Sequence, residues 1–317
     1  MTDSFGDVTG EYQALHESSG LVADAHELVI VSGPDAGGFL DSLLSQDLTG
    51  MSSGDVVRSL LLGPRGKLRA PLWVGLLDDA FHLVTDIGAG TQVQEDLLRF
   101  RLRVDVEVAD PQPMLDLIGP GSATVLAGAG LAVPTGVAGW DDGVAIRAPL
   151  GHLDRFYVPH PGREALLAAG ARMVGDLAAT AVRVEMGEPR MGRDIDDSTI
   201  PQETPLVEET ISFEKGCFLG QELVARIDSR GHVNRHLRGI VISENSLPPE
   251  KAEIWSDSDM VGELTSVSES LRVGAPIGLG LVRREVLPGD SVEIRWAGGK
   301  VGAEVRDLPL LQKHMVA

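Results

Sequence analysis

Twice in the first 130 residues a strand-like apolar run stops at Gly-Pro and gives way to a helix-like run. Val29-Ile30-Val31-Ser32-Gly33-Pro34 precedes a stretch with Leu40, Leu43 and Leu44, and Leu115-Asp116-Leu117-Ile118-Gly119-Pro120 precedes Ala123 to Leu126. In both copies a leucine, Leu40 or Leu126, follows the glycine by seven residues. Proline suits the first turn of a helix, where its missing N–H has no helical partner, so each copy reads as strand, corner and helix. Repetition of such a unit implies an α+β body of pseudo-repeated α/β parts.

Between the copies, 56–62, 71–77 and 81–85 read as strands, with Asp78-Asp79 as a hairpin turn. Residues 93–103 read as an amphipathic helix and 104–108 alternate as a strand. After Pro161, 164–173 is expected to be helical. A further helix carries Leu177, Ala181 and Val184 on one face and Glu185 near its end. From His236 onward the pattern changes to short strands at 238–242, 251–255, 261–267, 277–282 and 291–295, separated by Gly, Pro and Ser, which reads as a small antiparallel β-barrel or sandwich. The domain reading is a body over 1–237, in two parts of about 25–110 and 111–237, followed by a β-barrel over 238–317.

Composition narrows the function class. With 43% hydrophobic and 23% charged residues, 317 residues suffice for two or three buried cores. A single cysteine excludes an internal disulfide. The chain carries 47 acidic and 27 basic side chains, a net charge of -20, and such a field repels long polyanions, which argues against nucleic acid as a partner. The first residues lack the basic start and apolar core of a secretory signal, and no apolar run is long enough to span a bilayer; a cytoplasmic protein with no membrane partner is expected.

The one cysteine stands in Lys215-Gly216-Cys217-Phe218-Leu219-Gly220-Gln221-Glu222, between glycines and two residues after a lysine. A nearby ammonium favours the reactive thiolate, and glycine leaves the backbone open to approach. A lone cysteine also serves as a small buried hydrophobe. The segment 215–238 carries five basic residues against Glu222 and Asp228, a positive island in an acidic chain and a seat for a small anion.

This block, with the following Arg226-x-x-x-Arg230-Gly231, resembles the signature of the YgfZ group of folate-binding proteins, relatives of the glycine-cleavage T-protein (aminomethyltransferase). Arg183-Val184-Glu185-Met186-Gly187-Glu188-Pro189-Arg190 and Ile200-Pro201-Gln202-Glu203 resemble that group's Arg-x-Glu-x-Gly-x-Pro and Pro-x-Glu segments, and the likeness spans about 25–310. The resemblance implies a T-protein-like fold around a central opening with a C-terminal β-barrel. It also implies tetrahydrofolate or a one-carbon derivative as cofactor, and a role in assembly or repair of iron-sulfur enzymes, with iron-sulfur client or assembly proteins as partners.

On this reading Glu185 pairs with the donor edge of the pterin, as a carboxylate can accept from two N–H groups at once. Arg226 and Arg230 hold the anionic glutamyl tail. Cys217, aided by Lys215, is the chemically active side chain. One departure separates the chain from the T-protein: where that family has an Asp shortly after the glycine equivalent to Gly66, the run Gly66-Lys67-Leu68-Arg69-Ala70-Pro71-Leu72-Trp73 holds no acid. Neither Arg69 nor Pro71 can deprotonate an amine, which disfavours the alternative of a folate-dependent one-carbon transferase. Weaker features point to no metal. Asp194, Asp196 and Asp197 lack ordered ligand spacing, His232 and His236 lack a companion ligand, and one thiolate cannot hold an iron-sulfur cluster alone.

Overall fold

One long strand organises the body. The computed structural model describes residues 2–140 and 143–311, apart from the side chain of Arg230. After α1 (Val8–Glu17), β1 (Gly20–Ser32) runs for 13 residues, and a bulge between Ala23 and His26, where Asp24 takes a positive φ of 57°, divides it. The first repeat continues through α2 (Ala36–Leu43), β2 (Val56–Leu62), β3 (Leu68–Leu77), β4 (Ala80–Asp86), α3 (Gly90–Phe100) and β5 (Glu107–Val108). The second runs through β6 (Gln112–Ile118), α4 (Ser122–Gly128), β7 (Val137–Trp140), β8 (Gly143–Arg147), β9 (Arg155–Pro159), α5 (Arg163–Ala168), β10 (Arg172–Val174) and α6 (Asp176–Glu185). Both Gly-Pro corners therefore do connect a strand to a helix.

The two repeats share one ten-stranded sheet, in the order β2-β3-β4-β1-β6-β9-β8-β7, with β5 and β10 added along β1. It curls into a half-barrel: β7 returns beside β3, Val137 lies under Gly75, and Val137 N donates to Gly54 O at 3.0 Å. Helices cover the convex face. Leu40 and Leu43 of α2 and Val93 of α3 pack with Val29, Val31 and Leu83 of the sheet, and Leu126 of α4 and Leu166 of α5 pack with Leu115, Leu117, Phe156 and Val158. Full burial of each such side chain stabilises by about 2 kcal/mol.

Several boundaries differ from the sequence reading: the helix expected over 93–103 runs Gly90–Phe100, and the strand expected over 104–108 forms only at Glu107–Val108. The helix expected over 164–173 ends at Ala168, because Gly170 turns the chain with φ +105°, and Arg172–Val174 becomes β10, parallel to β1. The barrel starts before residue 238, at Arg235. After a linker holding α7 (Val207–Thr210) and α8 (Gln221–Arg230), β11 (Arg235–Ile242), β12 (Glu253–Ser256), β13 (Asp259–Ser270), β14 (Ala275–Arg283), β15 (Ser291–Trp296) and β16 (Gly299–Arg306) close in the order β11-β14-β13-β12-β15-β16. Helix α6 docks body to barrel: Val184 packs with Leu237, Ile277 and Leu279, while Arg183 bridges Asp194 and Ser266. Among the described residues no helix is long and apolar enough to cross a membrane.

Candidate functional site

The concave face of the half-barrel is charged at the end nearest α6. Arg155 presents both Nη atoms to Glu188, at 2.7 and 3.0 Å, and its Nε donates to Ala148 O. Arg58 donates to the same carboxylate at 2.9 Å while its guanidinium lies 5.3 Å from the Trp73 ring centre. Beside this pair, His26 Nδ1 lies 2.8 Å from Asp116 and its Nε2 3.6 Å from Asp86, which also accepts the Met191 N–H. Burial raises the Glu188 carboxyl, but Arg155 and Arg58 outweigh it and bring it down to about 2. For Asp86 burial wins over His26 and the Met191 N–H, and the carboxyl is pushed up. The cavity between these groups is about 40 Å³, room for a few waters and far short of an ordinary ligand pocket. A pterin does not fit among these side chains as they stand.

Glu185, the expected pterin partner, faces elsewhere. It is fully buried at the end of α6, where Oε1 accepts from Tyr12 Oη at 2.5 Å and from Ser270 Oγ, and Oε2 lies 2.8 Å from His16 Nε2. Burial, then the Glu185 charge, push the Tyr12 hydroxyl up. Tyr12 and His16 come from α1 and Ser270 from β13, so the carboxylate works as a clasp between helices and barrel. The position follows from helix periodicity: Ala178, Ala181, Val182 and Glu185 occupy one buried stripe.

The Lys215 ammonium is engaged by oxygens of the body. Lys215 Nζ donates to Asp41 O and Oδ1, Leu44 O and Gln46 O, all within 2.8–3.0 Å, and its side chain is 1% exposed. The ammonium is thus committed to the chain just beyond α2. Leu219 N donates to Ser42 O and Ser212 N to Ser45 O, which fastens the whole segment to the body. At its far end, Gly220 (φ +82°) abuts Gly66: a Cβ on Gly66 would lie 2.8 Å from Gly220 O, so only glycine allows this approach. Cys217 itself is exposed, and Gly216 beside it faces open space.

The same segment leads into α8, whose exposed face carries Arg226; among the described residues Arg226 makes no ion pair. The Arg230 side chain lies outside the described residues. Helix α8 touches the Pro201–Glu203 turn through Gln202 Nε2, which donates to Val224 O at 3.0 Å, and Gln202 Oε1 is buried without a hydrogen-bond partner. Its neighbour Glu203 accepts from Arg235 Nε at 2.7 Å and from Ile200 N at 3.0 Å, and Arg235 is 37% exposed. Next to it, burial and then Arg238 push His236 down, against the pull of Glu203. This junction of linker, α8 and β11 brings the Glu203 carboxylate and the Gln202 amide close to arginines at the surface. Glu185 is fully buried and engaged by three side chains.

The sequence reading missed His26, Asp86, Asp116, Arg155 and Arg58, although a signal existed. Asp116 interrupts an otherwise apolar run, 114–118, and Arg155 opens the apolar strand β9; a charge buried within a sheet needs a partner. Arg69, in the run without an acid, donates through Nε to Asp96 at 2.7 Å. Among the described residues no group of three His, Cys, Asp or Glu is placed to hold a metal ion.

Comparison with known proteins matches two segments of the chain to domain families. Residues 2–132 match the GCVT N-terminal domain, and residues 235–312 match the glycine cleavage T-protein C-terminal barrel domain. Similar proteins include the aminomethyltransferase of Listeria monocytogenes serotype 4b (strain F2365), 23% identical with 98% of this chain and 91% of that protein covered. That of Bordetella bronchiseptica is 26% identical, with 98% and 90% covered. The crystal structure of glycine cleavage system aminomethyltransferase T from Bartonella henselae shares the fold, with a TM-score of 0.87 at 24% identity over 96% of this chain and 90% of that one.

Proposed function

On the premise that a chain carrying both T-protein domains is T-protein-like, we propose that it binds tetrahydrofolate or a one-carbon derivative where the linker, α8 and the barrel meet. Glu203 and Gln202 take the pterin edge in this reading, in place of Glu185. Glu203 accepts from Ile200 N and, at 2.7 and 3.5 Å, from Arg235, and the orphaned Gln202 Oε1 costs free energy until a donor reaches it. Arg235, Arg226 and Arg230 supply positive charge for the glutamyl tail. Folate bound there would supply a carrier of one-carbon groups; the protein's own residues bind and orient it. The observation that carries the reading is the unsatisfied acceptor beside a carboxylate at this junction, in a chain with T-protein domains at both ends.

The further role proposed is maintenance of iron-sulfur enzymes, as in the YgfZ group, with Cys217 as the reactive group. Support comes from its exposure on a segment fastened at both ends. The test is complementation of cells lacking the protein: Cys217→Ala is expected to leave folate affinity intact and to fail to restore iron-sulfur enzyme activity. Full restoration makes the thiol dispensable. A second reading, a one-carbon transferase, follows the names of the relatives. Against it stands the run 66–73, which holds no acid of its own; the carboxylate brought beside it, Asp96 of α3, is paired with Arg69. Folate-dependent turnover of a supplied amine would favour it.

A further inference from the structure

A second cavity, of about 510 Å³ and within the range of small-molecule pockets, lies where the β2–β3 turn, the end of α3 and the 197–198 loop meet. These three pieces are fastened to one another. Across the turn Gly63 N donates to Lys67 O and Gly66 N to Gly63 O, both at 2.8 Å. Leu68 N donates to Thr199 O at 2.9 Å, which ties the loop to β3, and Asp196 Oδ1 accepts from Ser198 N and Thr199 Oγ1 within the loop. The Arg69–Asp96 bond ties β3 to α3. A ligand entering there meets a frame already in place, so little ordering offsets the contacts it makes.

Its charge runs against that of the chain. Among the described residues Arg65, Lys67, Arg69 and Arg99 line the cavity against two acids, Asp96 and Asp197, a surplus of two positive charges in a chain of net charge -20. Asp96 is already engaged: it is buried, with Arg69 at 2.7 Å and Arg99 at 3.6 Å. Arg65 and Lys67 make no ion pair or side-chain hydrogen bond among the described residues. Positive heads collected in this way repel one another, and a bound anion relieves the repulsion as well as pairing with them. The Debye length at physiological ionic strength, about 8 Å, is comparable with the reach of these side chains, so the surplus acts on the cavity whichever rotamers they take. Phe100, half-buried at the end of α3, sets an aromatic ring beside the charges.

We propose that this cavity binds a small organic dianion, a phosphate monoester or a dicarboxylate, whose oxygens pair with Arg65, Lys67 and Arg99 while its carbon body lies against Phe100. Both head groups fit the planar fork of a guanidinium, and a charge of about -2 cancels the surplus. An ammonium compound of the same size is repelled. The inference rests on the charges of this cavity and is independent of the folate reading.

The probes are phenyl phosphate and phthalate as the two dianions and benzylamine as a cation of similar size, each titrated calorimetrically into the full chain at low salt. Saturable binding of a dianion that weakens with added salt is expected, with no saturable binding of benzylamine. Whichever dianion binds more tightly identifies the head group. Arg65→Gln and Lys67→Gln change side chains without partners, so the protein should stay folded while each weakens the dianion about fivefold or more. Arg306→Gln, an equal change of net charge at an exposed position on the barrel, should leave that affinity unchanged. No saturable binding of either dianion to the unmodified protein, or benzylamine binding as tightly, would overturn the proposal, as would Arg65→Gln and Lys67→Gln proteins that bind as tightly as Arg306→Gln. None of the probes carries a pterin, so failure here leaves the linker-junction reading standing.

Discussion

Replacing Glu188 by Gln gives a stability loss whose size and pH dependence both follow from the geometry. The carboxylate is held by two bonds from Arg155 and one from Arg58, and its carboxyl is brought to about 2 from an ordinary 4.5. That difference favours the charged form by about 3 kcal/mol at neutral pH, the loss expected for Glu188→Gln in denaturant unfolding at pH 7. Because the folded value is depressed, the contribution is complete above the unfolded value and fades as pH falls from about 4.5 towards 2. At pH 4 the unfolded chain already gains protons that the folded one refuses. The wild type should therefore lose about 0.8 kcal/mol of its advantage over the variant, while titrations common to both cancel. Urea unfolding of the two proteins at pH 7 and pH 4 reads this directly. A gap of under 1 kcal/mol at pH 7, or one that widens towards pH 4, would refute the account of the cluster.

Two other expectations concern the linker. Lys215→Met leaves Asp41 and three carbonyls without their donor and should cost about 3 kcal/mol; it should also release the Cys217 segment, so that iodoacetamide alkylates the thiol faster than in the wild type. Equal unfolding midpoints and equal alkylation rates would show that the contacts of Lys215 do not hold the segment. Arg226→Ala should weaken tetrahydrofolate binding and reduce its salt dependence, because the arginine is exposed and without an ion pair; an unchanged salt profile removes it from the tail site.

The parts of the fold that local pattern controls were legible in the sequence. The Gly-Pro corners, the 56–62 strand and the alternating C-terminal strands depend on neighbours a few residues away, and those elements form. What local pattern cannot supply is β1 as the spine of a shared sheet: its partners β4, β6 and β10 come from as far as 150 residues on, and the bulge at Asp24 sets its register. The site divides the same way. Cys217 stands out as a lone cysteine between glycines, but sequence proximity to Lys215 suggested an ammonium beside a thiol, whereas the ammonium turns to a loop more than 160 residues earlier. For Glu185 the information was present and pointed inward, since the α6 stripe that buries Ala178 and Ala181 also buries the glutamate. A motif resemblance does not show what holds Glu185; that depends on Tyr12, His16 and Ser270, which lie far apart in the chain.

The most direct test of the account separates the two glutamates. Tetrahydrofolate is titrated calorimetrically into the wild type, Glu203→Gln and Glu185→Gln, with thermal unfolding of each measured in parallel. Glu203→Gln should lower affinity tenfold or more, since a buried donor facing a donor costs about 1–3 kcal/mol, while Glu185→Gln should chiefly lower the unfolding temperature by loosening the clasp of α1, α6 and β13. A wild type that binds no tetrahydrofolate, or a Glu203→Gln protein that binds as tightly as the wild type, would contradict the proposed site.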